Sequence, residues 1–92
     1  GRILVDARSG TVVAGGDVRV GPAVVSLGNI TVRIGDQPAG AVPPGTVALP
    51  RGALVQDVAQ GLHSLDVTSA QIAEVFEALR SVGALTAEVV VR

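Results

Sequence analysis

The stretch Ala23-Val24-Val25-Ser26-Leu27-Gly28-Asn29-Ile30-Thr31-Val32-Arg33-Ile34 decides the reading of this chain. From Ile30 to Ile34 apolar and polar residues alternate strictly, which is the period of a half-buried strand. Ile30, Val32 and Ile34 then face a core, while Thr31 and Arg33 lie on the opposite face. Ala23–Leu27 is rich in β-branched residues and reads as a partner strand. Gly28-Asn29 between them tolerates the left-handed backbone region and closes a hairpin.

The same reading extends toward Gly1. Arg2-Ile3-Leu4-Val5-Asp6 is a short apolar run, Ala7-Arg8-Ser9-Gly10 a turn, and Thr11-Val12-Val13-Ala14 a returning strand. Gly15-Gly16 breaks that run, and Asp17-Val18-Arg19-Val20 alternates as a further strand before Gly21-Pro22. Downstream, residues 35–50 hold seven Gly or Pro among sixteen residues and read as a loop, with Thr46–Leu49 a short edge strand before Pro50.

From about residue 53 the period becomes helical. Leu54, Val55, Val58, Ala59, Leu62 and Leu65 form one apolar stripe, weakened by Gly61. Thr68-Ser69-Ala70-Gln71 is a capping box that opens a second helix. Ile72, Val75, Phe76, Leu79 and Val82 line its apolar face, and Gly83 fits the position just past its end. Leu85 to Arg92 closes the chain as a strand, with Leu85, Ala87, Val89 and Val91 alternating with Thr86, Glu88, Val90 and Arg92.

The expectation is therefore an α+β fold in a single domain over 1–92. Hairpins over 1–34 form a small, mainly antiparallel sheet, 35–50 is a Gly/Pro-rich loop, and 51–92 is helix-helix-strand. The last strand inserts beside an early one, and the helix pair covers one face of the sheet. No internal repeat, secretory signal or lipidation motif is visible. The chain begins inside what reads as strand context, as a piece of a longer protein does.

Composition excludes several functions. The 92 residues are 48% hydrophobic and 16% charged, with formal net charge −1. No apolar run is long enough to span a bilayer, so membrane insertion is not expected. With no Cys and one His, an ordinary zinc site is nearly excluded, and no cofactor is expected. All seven basic residues are Arg, spread along the chain among eight acids. That leaves no basic footprint for nucleic acid, and one aromatic residue cannot build a base-stacking platform.

Candidate chemistry fails on geometry. His63-Ser64-Leu65-Asp66 holds the residue types of a serine triad, but neighbours at one helix end cannot converge as nucleophile, base and orienter. Gly35-Asp36-Gln37-Pro38-Ala39-Gly40 has phosphate-loop glycine spacing, yet Ala41-Val42 stand where Lys and Ser/Thr are needed. Glu74 and Glu77 read as a solvated helix face, with Arg80 placed to pair with Glu77. Asn29-Ile30-Thr31 is a glycosylation tripeptide of a kind common by chance. No catalytic residue is assigned, and no enzyme is expected. Arg19, Arg33 and Glu88, on strand faces opposite the apolar alternation, are the candidates for a subunit interface.

Two blocks carry a resemblance. The first runs Asp6-Ala7-Arg8-Ser9-Gly10-Thr11-Val12-Val13-Ala14-Gly15-Gly16-Asp17-Val18-Arg19-Val20, followed by Val24–Leu27 and Gly28-Asn29-Ile30-Thr31-Val32. The second runs Leu49-Pro50-Arg51-Gly52, then Leu62–Leu65, Thr68–Leu79 and Gly83-Ala84-Leu85-Thr86-Ala87-Glu88-Val89-Val90-Val91. In this order and spacing the chain resembles the C-terminal portion of the bacterial flagellar P-ring family. The resemblance implies a periplasmic, structural subunit of the flagellar basal body. It implies self-association into a ring, the flagellar rod and L-ring protein as partners, and contact with peptidoglycan. The family carries a longer excursion between the early strands and the helix pair than residues 35–50 provide. A small α+β ring module of another envelope machine, such as a secretin-like channel, shares the alternation and helix pair but lacks the first block.

Overall fold

A computed structural model describes residues 1–36 and 40–92. The elements run β1 (Arg2–Val5), β2 (Val12–Ala14), β3 (Ala23–Leu27), β4 (Ile30–Ile34), β5 (Thr46–Leu49), α1 (Val55–Ser64), α2 (Ser69–Ser81) and β6 (Glu88–Val91). The fold is α+β, as the periods imply. Gln37–Ala39, within the rejected phosphate-loop spacing and the Gly/Pro-rich loop, lie outside the described residues.

The strands divide between two three-stranded sheets, ordered β2-β1-β6 and β3-β4-β5. Each sheet combines one antiparallel and one parallel pair. In the first, Ile3 faces Ala14 of β2 and Val89 of β6. In the second, Val32 faces Val25 of β3 and Val47 of β5. The antiparallel pairs are the two local hairpins. The parallel pairs join strands separated by longer connections, which a hairpin turn cannot make. The last strand does lie beside an early one, β1.

The β3–β4 turn uses its glycine alone for left-handed backbone. Gly28 has φ +60°, and Asn29 is not among the positive-φ residues. That is the pattern of a type II′ turn, whose twist matches the flanking strands. Val18–Val20 make one bridge instead of a strand, Arg19 opposite Leu54. The amide of Val20 donates to Ala53 O at 2.9 Å and that of Val55 to Val18 O at 2.9 Å. Pairing stops there because the partner backbone turns at once into α1.

Helix α1 starts where the Asp57 carboxylate accepts from the Leu54 amide at 2.9 Å. Its stripe Val55, Val58, Ala59 and Leu62 is buried. Helix α2 has the full capping box: Thr68 Oγ1 accepts from Gln71 N at 3.1 Å, and Gln71 Oε1 accepts from Thr68 N at 2.9 Å. At its other end Gly83, at φ +82°, lets Ala84 N donate to Leu79 O and Gly83 N to Arg80 O, both at 3.0 Å. These two bonds are a Schellman motif and satisfy carbonyls that the helix leaves open.

Each helix touches both sheets, α1 through β2 and β5 and α2 through β3 and β6. One core results, with Phe76, Leu62, Ile72 and Leu79 from the helices meeting Ile3, Val5, Val32 and Val47 from the strands. Among the described residues no polar or charged side chain is buried. The outer faces of the two sheets point away from this core.

Candidate functional site

The motif block Asp6–Thr11 is a fastener. Asp6 Oδ1 accepts from the amides of Arg8 at 2.8 Å and Ser9 at 3.0 Å, which folds the β1–β2 turn around one carboxylate. Those two donors, Ser9 first, hold the Asp6 pKa below its ordinary value. Gly10 has φ +74° and sits where a Cβ would come within 2.9 Å of Ile72 Cδ1. Its carbonyl accepts from His63 Nε2 at 2.9 Å, so the ring carries its proton on that nitrogen. Ser69 Oγ donates to Arg8 O at 3.0 Å. One turn is thereby bonded to the end of α1 and the start of α2.

The triad-like residues are engaged in the same way. Ser64 Oγ donates to Gly61 O at 2.7 Å, His63 holds Gly10, and Asp66 takes a positive φ of 59° in the turn between the helices. Glu74 and Glu77 are exposed on α2. The expected pairing of Glu77 with Arg80 does not form. Among the described residues the ion pairs are Arg2–Glu88 at 3.2 Å and Arg51–Asp36 at 3.4 Å, both exposed. Such pairs contribute about 0–1 kcal/mol each. No group of three or more acidic or His side chains comes together among the described residues.

The three interface candidates go to three different places. Arg19 Nη1 donates to Gly52 O at 2.6 Å and ties its bridge to the turn before α1. Arg33 is half-buried at the centre of the outer face of β3-β4-β5, in a row with Val24 and Ala48. Glu88 stands on the outer face of β2-β1-β6, opposite Arg2. Arg33 and Glu88 thus belong to different sheets.

The register adds residues that the strand patterns alone did not mark. On β2-β1-β6, Val13, Leu4 and Val90 form one outer row. Val13 is 55% exposed, and Leu4 and Val90 are half-buried outside the core cluster. On β3-β4-β5, Val24 is 59% exposed beside Arg33. Ser26 and Thr31 share a hydrogen bond at 2.9 Å in the next row.

Fold and surface together define a small α+β domain whose motif residues brace the domain itself and whose two sheets turn their outer faces away from the core. The chain belongs to the flagellar P-ring protein family: the family model described as Flagellar P-ring protein matches residues 1–47 and 41–91. The chain is 35% identical to the flagellar P-ring protein of Ruegeria pomeroyi, over 99% of the chain and 31% of that relative. It is 37% identical to that of Anaeromyxobacter sp. strain K, over 95% of the chain and 30% of the relative. For Legionella pneumophila strain Corby the figures are 32%, 98% and 30%. The chain therefore spans about 30% of the length of these curated relatives. The alignments run over 115 and 109 positions against a chain of 92 residues, so the relatives carry residues absent here. The two family segments overlap at 41–47, inside the 35–50 segment where the family's longer excursion is expected. No solved structure matches the chain.

Proposed function

We propose that this chain is a structural domain of a flagellar P-ring subunit. In this reading the parent protein lies in the periplasm, as part of the basal body. There it forms a ring around the flagellar rod at the peptidoglycan layer, beneath the L ring. The domain has no catalytic task. The observation that carries the reading is the family match along nearly the whole chain, with the family block serving as an internal brace. A bushing for a turning rod needs a stiff domain and repeated lateral contacts. A domain that fastens one hairpin to both its helices meets the first requirement. Ring closure meets the second through a heterologous contact, one patch meeting a different patch on the next copy.

The test is a chimera. This chain replaces the matching C-terminal part of the P-ring protein of a relative, in a strain lacking its own. Restored swimming, with P rings on isolated basal bodies, is the expected result. A stable, exported chimera that leaves rods without P rings overturns the reading.

A further inference from the structure

The two sheets present different outer faces. The face of β2-β1-β6 carries the apolar row Val13–Leu4–Val90, with Glu88 and Arg2 in the adjacent row. The face of β3-β4-β5 carries Val24 and Ala48 on either side of Arg33, with Ser26, Thr31 and Thr46 in the adjacent row. Arg33 is the one charged side chain on those three strands. Among the described residues it has neither a hydrogen-bond nor an ion-pair partner. An unpaired guanidinium on a face otherwise built of Val, Ala, Ser and Thr is able to donate to an acceptor from outside the molecule.

We propose that the outer face of β2-β1-β6 of one copy docks on the outer face of β3-β4-β5 of the next. Glu88 of the first copy meets Arg33 of the second, and the Val13–Leu4–Val90 row covers Val24 and Ala48. The contact rests on the ring-subunit reading above, which requires unlike patches to meet. A second copy is favoured as occupant because one face carries an exposed carboxylate with an oxygen to spare and the other a cation without a partner. The donor face offers Glu88 next to an apolar row: its Oε1 holds Arg2 of the same copy at 3.2 Å, and its other carboxylate oxygen is left to accept from Arg33, which the acceptor face sets between two apolar residues. Rows on one strand face are about 7 Å apart, a span that an Arg side chain bridges. Packed in this way the sheets are aligned, with side chains interdigitating as in a sandwich core. Because the two patches differ, each copy keeps one of each free, and the contact propagates from copy to copy.

The contact is weak taken singly. Each face measures roughly 14 Å across its three strands and about 13–17 Å along them. Its area therefore falls well short of the ~800 Å² per partner of a standard stable interface. A kinetic trap is the right assay. The chain has no Cys, so introduced thiols are the only reactive ones. Val13→Cys and Val24→Cys chains are mixed in equal amounts and treated with a short bismaleimide. Both sites are more than half exposed, so the core is untouched. Mixed dimers are expected to form several-fold faster than dimers in either single-variant sample. Arg33→Glu in the Val24→Cys chain lowers the rate several-fold, and Glu88→Arg in its partner restores it. That restoration separates a lost contact from a lost fold, since a misfolded chain is not rescued by its partner.

Equal rates in mixed and single-variant samples overturn the proposal, because they signify random collision or like-face pairing. A preference of Val24→Cys for Ser81→Cys on α2 over Val13→Cys also overturns it, because it puts the helix on that face. Either result, with swimming restored by the chimera, leaves the ring-subunit reading standing and removes this contact alone.

Discussion

Asp6, Gly10 and His63 show what the conspicuous family motifs do inside the fold. Each is committed to one turn. Gly10 is required twice, by its positive φ and by the Ile72 side chain against it. Gly10→Ala is expected to destabilise the domain by about 1–3 kcal/mol, the range for a strained backbone position, measured by urea denaturation. Retained stability would mean that the turn has a second conformation. Asp6 gives a pH signature. Its folded pKa is depressed by the Ser9 and Arg8 amides, so its contribution is complete above the ordinary carboxylate value. That contribution is lost as pH falls through the lower folded value. Asp6→Asn should therefore show a flatter loss of stability in acid than the parent chain, while an identical acid profile would rule out the bond. The sequence showed the turn but not its clasp, because Gly10 and His63 are distant in sequence and no local pattern links them.

Helix α1 illustrates a conflict between local preference and packing. Glycine inside a helix ordinarily costs about 1 kcal/mol against alanine, so Gly61→Ala would stabilise an isolated helix. Here a Cβ on Gly61 would come 2.5 Å from Val47 Cγ1 on β5. The helix lies close on that strand because it has no side chain there. Gly61→Ala is expected to lower the melting temperature, and a rise would show that β5 can withdraw at little cost. Local signals located β3, β4 and β5 residue for residue, and both ends of α2 through Thr68, Gln71 and Gly83. They overextended the last strand: Leu85 and Ala87 are buried, but pairing begins only at Glu88. They also made Val18–Val20 a strand where one bridge exists. Alternation reports which side chains face the core, and a buried extended segment has it whether or not a neighbour pairs with it.

At the scale of the whole molecule, the long-range partners were the part least legible. Hairpins are local, so the two antiparallel pairs follow from their turns. The parallel partners β6 on β1 and β5 on β4 depend on where the helices carry the chain, and so does the division into two sheets. The same holds for the candidate surface. Arg33 and Glu88 were visible as residues opposite the apolar alternation. The row Val13–Leu4–Val90 exists only once β6 is in register with β1. The motif residues brace the domain, and in the proposed contact its two unlike sheet faces join copies head to tail. Light scattering on the eluting chain, from micromolar to millimolar concentration, tests that most directly. Refractive index must report concentration, since the chain has no Trp or Tyr. The expected mass is 9.2 kDa at the dilute end and climbs steadily with concentration, with Arg33→Glu suppressing the climb. A mass fixed at 9.2 kDa throughout would contradict it.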